Sequence, residues 1–211
     1  MSSVAVIDYG MGNLHSIAKA LQHACPEQTI QVTSDAGQIR QADRIVFPGV
    51  GAIRDCIQAL QANGLQEVIQ EVAKNKPFLG ICLGMQALLT DSEENDKTPC
   101  LGLISGHVRR FAFDPQNAAL KIPHMGWNQV HQQAPHPLWH NIAQDSRFYF
   151  VHSYYAQPDH SDTIAAISEY PKAFACALMQ KNIFAVQFHP EKSQTVGLQL
   201  LSNFMNWDGN V

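Results

Sequence analysis

The run Pro77-Phe78-Leu79-Gly80-Ile81-Cys82, continued without a break by Leu83-Gly84-Met85-Gln86-Ala87-Leu88-Leu89, decides how the chain folds. Its first part is the short, continuous apolar run of a buried strand, and its second part reads as a helix. A strand passing straight into a helix is the repeating piece of a βαβ unit. The same alternation recurs toward the N-terminus. Val4 to Tyr9 is an apolar run ending at Gly10-Met11-Gly12-Asn13, and Leu14, Ile17, Ala18, Leu21 and Ala24 follow at helical spacing until Pro26. Thr29 to Thr33 alternates like a strand, and Arg44-Ile45-Val46-Phe47 reads as another that Pro48-Gly49 stops. Ile53, Ile57 and Leu60, then Leu65, Val68, Ile69 and Val72 after Gly64, predict helices. This alternation predicts an α/β fold with a central, mostly parallel sheet flanked by helices, in which ligands gather at the carboxyl ends of strands.

The second half reads differently. Gly106 to Phe111, Gly126 to Val130, Phe148 to Tyr155, Thr163 to Ser168, Phe174 to Gln180 and Ile183 to Phe188 predict strands joined by short loops. A closing helix is expected from Gln194 to Trp207. These strands are expected to extend or flank the parallel sheet around a shared core, so residues 1–211 read as a single domain. Asp91 to Pro99 is polar and turn-rich and is expected to be a solvated loop, and no role is assigned to Ala112 to Leu120.

Hydrophobic residues make up 45% of the 211 and charged residues 15%, against the about 25% charged of soluble globular chains. That composition supports a packed core and excludes a disordered chain. With 14 Lys+Arg against 18 Asp+Glu, and no basic run beyond Arg109-Arg110, nucleic acid is not an expected partner. No stretch approaches the roughly 20 apolar residues of a membrane-spanning helix. The opening M-S-S-V-A-V-I-D also lacks the positive charge of a signal peptide. The five cysteines are odd in number and contain no C-x-x-C pair. A soluble protein of the reducing cytoplasm is expected, without contact with a membrane.

Gly80-Ile81-Cys82-Leu83-Gly84 is the thiol version of the G-x-S-x-G nucleophile elbow. Glycines two residues either side allow the sharp turn that holds a nucleophile at a strand tip, and the helix that begins there offers its dipole and free amides to a thiolate or an oxyanion. Taken alone, Cys82 reads equally well as a small buried hydrophobe. A thiolate needs a base and the base an orienting partner, and His189-Pro190-Glu191 offers both. Two apart in an extended segment, their side chains fall on the same side. Pro48-Gly49-Val50-Gly51 reads either as an ordinary tight turn or as a backbone that presents the Val50 amide to a developing oxyanion. His136 and His140 lack the glutamate of a zinc helix, the other cysteines lack ligand spacing, and His23, His131 and His160 read as surface residues. No metal or other cofactor is expected.

Gly80 to Gln86 together with His189-Pro190-Glu191 resembles the class I, or triad, glutamine amidotransferases. Among these the chain most resembles the glutaminase subunits of imidazole glycerol phosphate synthases. The resemblance is carried by Asp8 to Asn13, Pro48 to Ala52, Pro123-His124-Met125-Gly126-Trp127-Asn128, Tyr149 to Tyr154 and Gln187 to Ser193. It implies a Cys82-His189-Glu191 triad that hydrolyses L-glutamine to glutamate and ammonia. The amides of Leu83 and Val50 would hold the oxyanion, and Gly49, Gly51, Gln86, Ser153 and Tyr154 would bind glutamine. It further implies a heterodimer with a (β/α)8 cyclase subunit, which takes the ammonia through an internal channel to make imidazole glycerol phosphate and an aminoimidazole carboxamide ribotide in histidine biosynthesis. Asn13, Met125, Trp127 and Lys192 match segments near that interface. One departure is Phe184-Ala185-Val186, where many relatives carry a Gly-Thr pair; it is expected to alter packing behind His189 rather than chemistry. The alternatives are a paralogous subunit feeding another synthase, as in polysaccharide amination, a stand-alone γ-glutamyl thiol hydrolase, and a scaffold with a relict pocket.

Overall fold

A computed structural model describes residues 2–112 and 121–210, so all of the Ala112 to Leu120 stretch except Ala112 lies outside the described residues. The first part of the chain runs β1 (Ser3–Ile7), α1 (Leu14–Ala24), β2 (Thr29–Thr33), α2 (Ala36–Gln41), β3 (Arg44–Gly49), α3 (Ile53–Ala62), α4 (Leu65–Val72), β4 (Phe78–Cys82) and α5 (Leu83–Ala87). Three short pieces follow: β5 (Asp91–Ser92), α6 (Glu94–Lys97) and β6 (Thr98–Pro99). The strand-rich part comprises β7 (Gly106–Arg110), β8 (His124–Gln129), β9 (His131–Gln132), β10 (Arg147–His152), β11 (Tyr154–Pro158), β12 (Ile164–Glu169), β13 (Ala173–Gln180) and β14 (Ile183–Val186). Helix α7 (Gln194–Asn206) closes the chain.

The main sheet runs in the order β2-β1-β3-β4-β14-β13-β11-β7-β5-β6. From β2 to β14 every pairing is parallel, and β13, β11 and β7 continue the sheet antiparallel. The central strands are apolar on both faces because helices or aromatic layers cover both. Ala5, Ile7, Ile45 and Phe47 point into one core with α3 and α4. Val4, Val6, Val46, Leu79 and Ile81 point into the other, with α1, α7 and the rings of Phe148, Phe150 and Phe188. β8 and β10 form a separate antiparallel pair.

Three expectations are corrected. β3 continues through Pro48 and Gly49, pairing Gly49 with Cys82, while its pairing with β1 ends at Val46. Proline is tolerated where a strand has a partner on one side only. The expected strand Phe148 to Tyr155 is two strands, β10 and β11, which separate at Ser153 and join different sheets. Asp91 to Pro99 is ordered against the body: Ser92 and Thr98 are buried, β5 pairs with β7, and the Glu94 carboxylate accepts from the amide of Ile53 at 2.9 Å. In addition α2, whose one buried side chain is Ile39, has no counterpart in the sequence reading. Phe184 packs against His136 and Trp139.

Candidate active site

Cys82 ends β4 at φ 55° and ψ −108°, a left-handed conformation that side chains adopt only when the surroundings enforce it. The flanking glycines enforce it by close approach. A Cβ on Gly84 would overlap the Phe47 carbonyl, and one on Gly80 would stand 3.1 Å from the Ala185 methyl and 3.2 Å from the Met85 amide. The helix that follows, α5, is only five residues long.

The second contribution arrives on β14. Its register with β4 pairs Val186 with Ile81, which sets Gln187 beside Cys82 and leads the chain on to His189. There the main chain is hooked to β10: His189 N donates to Tyr149 O at 2.9 Å, while Ser193 Oγ donates to His189 O at 2.6 Å and accepts from Tyr149 N at 3.0 Å. His189 Nδ1 donates to Glu191 Oε1 at 2.8 Å, with the two side chains 2% and 1% exposed. The two residues meet through a tight turn over Pro190–Lys192 rather than from one side of an extended segment. Nε2 is buried and has no hydrogen-bond partner among the described residues, and His189 lines the same cavity as Cys82. Burial alone would lower the proton affinity of the imidazole. Its interactions with the Cys82 sulfur and the Glu191 carboxylate outweigh that and raise it, so His189 holds a proton at neutral pH.

Cys82 and His189 open onto a cavity of about 310 Å³ that Val50, Gly51, Leu83, Gln86, Ser153 and Tyr154 also line. Gly49 lies behind this wall, where a Cβ would overlap the Tyr9 hydroxyl, and that hydroxyl donates to Pro48 O at 3.0 Å. Gln86 Nε2 donates to Tyr154 O at 3.1 Å and to Gln187 Oε1 at 2.9 Å. Glu94, Pro123, Val151 and His152 also line the cavity, and the sequence reading gave them no role. His152 Nδ1 donates to Tyr154 O at 2.7 Å and its Nε2 accepts from His124 Nδ1 at 2.9 Å, so both imidazoles carry their proton on Nδ1. Burial pushes His124 down to about 4 and His152 to about 3, which keeps both neutral. In the sequence this pair is marked only by lying within the Pro123 to Asn128 and Tyr149 to Tyr154 segments.

Met125 and Trp127 are exposed on β8, at 63% and 38%. The Trp127 ring meets Tyr149 edge-on at 6.2 Å, and Lys192 Nζ stands 6.0 Å from the same Tyr149 ring. Asn13 is exposed ahead of α1, which packs against the Pro190–Lys192 turn. A larger cleft, about 820 Å³, opens at the amino ends of β4 and β14 beside Asn75 and Asn182, away from Cys82. Among the described residues, no three His, Cys, Asp or Glu side chains gather as a cation site.

The model of the glutamine amidotransferase class-I family matches residues 5–207. The chain belongs to that family. The matched span includes positions 82, 189 and 191. The amidotransferase is 59% identical over 209 residues to imidazole glycerol phosphate synthase subunit HisH of Nitrosococcus oceani, covering 99% of each chain. It is 61% identical over 212 residues to the protein of the same name from Methylococcus capsulatus, covering 99% of this chain and 98% of that one. Among solved structures, a putative GMP synthase component from Thermoplasma acidophilum superposes with a TM-score of 0.71 at 23% identity, over 98% of this chain and 93% of that one. At that identity the likeness concerns the amidotransferase fold alone.

Proposed function

We propose that this amidotransferase is the glutaminase subunit of imidazole glycerol phosphate synthase, and that residues 1–211 act as one glutamine amidotransferase domain. The observation that carries the chemistry is the buried His189-Glu191 pair that shares a cavity with a cysteine held in a left-handed elbow. The full-length identity to proteins named as that synthase subunit supports the pathway.

In this reading the Cys82 thiolate attacks the side-chain amide carbon of glutamine, and the Leu83 and Val50 amides hold the oxyanion. The carbon–nitrogen bond breaks as His189 Nε2 gives its proton to the departing ammonia, leaving a thioester. His189 then takes a proton from water, whose oxygen attacks the thioester. Glutamate leaves and the sulfur is again a thiolate. Glu191 accepts from Nδ1 throughout and fixes the tautomer that makes both transfers possible. Gln86 and the backbone of Gly51, Ser153 and Tyr154 hold the substrate. Gly49, which does not line the cavity, packs behind them against the Tyr9 hydroxyl and Leu83.

The ammonia passes to a (β/α)8 cyclase subunit docked over Asn13, Met125, Trp127 and Lys192. This places the Met125 and Trp127 side of β8 under a partner. The chain works in the cytoplasm, where its five free cysteines stay reduced. No helix of the described residues is long and apolar enough to cross a membrane.

The test is Cys82→Ala in the complex with the cyclase subunit. Glutamine hydrolysis is expected to fall about 10⁴-fold or more, while the complex still forms and still makes product from added ammonia. Retained hydrolysis would remove Cys82 from the reaction, and failure to bind a cyclase would remove the pathway.

A further inference from the structure

Gln187 is fully buried, and its carboxamide is fixed at both ends. Its Oε1 accepts from Gln86 Nε2 at 2.9 Å, and the other hydrogen of Gln86 Nε2 goes to Tyr154 O. With Oε1 taken by a donor, the Gln187 NH₂ must face the other way, and Nε2 stands 3.7 Å from Cys82 Sγ, within hydrogen-bond range of sulfur. The main chain is equally constrained. Gln187 N donates to Cys176 O at 2.9 Å, and the pairing of Val186 with Ile81 sets the residue beside Cys82.

We propose that Gln187 is a further catalytic residue, one that donates an N–H to the Cys82 sulfur and favours its thiolate form. The proposal rests on the reading of Cys82 as the nucleophile. A buried anion is costly unless donors are aimed at it, and a hydrogen bond to the charged form of a group favours that form. The donor acts twice in the cycle. It stabilises the thiolate before attack, and again as the sulfur leaves the acyl carbon. In the thioester between those steps the sulfur carries no charge, and the contact weakens. Because Gln86 stands in the glutamine cavity and holds Gln187 in place, the wall that receives the substrate also orients the donor on the nucleophile.

Two variants test it. Gln187→Met removes the amide at similar volume. Gln187→Glu keeps an acceptor for Gln86 and sets a carboxylate against the sulfur. The readout is the rate of Cys82 alkylation by iodoacetamide as a function of pH, followed by the mass of the Cys82 peptide, with glutaminase kinetics measured in the cyclase complex. The pH of half-maximal alkylation is expected to rise by about one unit in Gln187→Met and further in Gln187→Glu. The turnover number at neutral pH should fall about tenfold or more, with KM for glutamine held within about twofold. A purely structural role would lower the melting temperature and leave the pH profile in place. An unchanged alkylation profile in either folded variant would overturn the proposal. Alkylation requires no turnover, so this result is separable from a failure of the nucleophile reading, which shows as hydrolysis by Cys82→Ala.

Discussion

In residues 3–87 each strand of the parallel sheet hands the chain to its own helix, whereas from β8 to β11 successive strands pass between the small sheet and the main one, before β12 to β14 continue in the main sheet and lead to His189. Cys82 is placed by the first method. Its position follows from the β4 to α5 connection and two glycines, all within a few residues. His189 is placed by the second. It depends on the register of β14 against a strand a hundred residues earlier, and on the Tyr149 and Ser193 hooks to the small sheet. The nucleophile is thus held by local connectivity and backbone packing, and its base by long-range polar contacts. The two regions therefore respond differently to the loss of a polar group.

The largest expected difference comes from Glu191→Gln. The fold should survive, because the carboxamide fits the same space, while the turnover number for glutamine falls about 10³-fold through loss of the tautomer that Glu191 enforces. The pH dependence of stability carries the same signature. The raised proton affinity of folded His189 gives stability that is complete below the ordinary histidine value of 6.5 and is lost as pH rises toward the folded value. Thermal melts of the unaltered chain should decline through the alkaline range, and those of Glu191→Gln should decline less. Equal alkaline slopes would show that the carboxylate does not hold the proton on His189.

A milder effect is expected in acid. All the buried histidines, at positions 124, 136, 152 and 189, belong to the strand-rich region. Burial lowers His124 and His136 to about 4 and His152 to about 3. For these three the sign is opposite to that of His189: the stability of keeping them neutral is complete above the ordinary value of 6.5 and is lost as pH falls toward 4 and 3. Hydrogen exchange followed from neutral pH to about pH 4 should therefore show β8 and β10 losing protection before β1 and β3. Simultaneous loss would mean that the two regions unfold as one unit.

The same contrast explains what the sequence reveals. The elbow and the alternation of β1 to α5 are legible because apolar periodicity and glycine spacing report local structure. The His189-Pro190-Glu191 motif is legible as chemistry, but its partnership with Cys82 depends on β14 entering beside β4, which no local pattern states. The break at Ser153 leaves no trace either. The aromatic and polar alternation continues across it without glycine or proline, so Phe148 to Tyr155 reads as one strand although its two parts serve different sheets. Helix α2 buries one side chain, too little for a periodic signal. The roles of Gln187 and Glu94 are illegible for another reason: they depend on which atoms these side chains meet, and those partners lie far away in sequence.

Glu94 offers the smallest effect and a test of how far the regions are joined. α3 begins just after Val50 and Gly51, which follow the end of β3, and its N-cap residue, Ala52, has no side-chain acceptor to give. The carboxylate of Glu94 supplies one from forty-one residues away, accepting from Ile53 N. The segment that holds it is tied by Ser92 Oγ to Glu94 N at 3.1 Å and by Thr98 Oγ1 to Glu94 O at 2.9 Å. A negative group at a helix N-terminus also meets the positive end of the helix dipole. Glu94→Ala should therefore cost about 1 kcal/mol, the usual loss on removing an N-cap acceptor, seen as a melting temperature lower by about 2–4 °C. Glu94→Gln, which keeps the acceptor and loses the charge, should recover most of it. If both variants melted like the unaltered chain, the polar stretch from Asp91 to Pro99 would be a cover over the cavity and not a tie between the two regions.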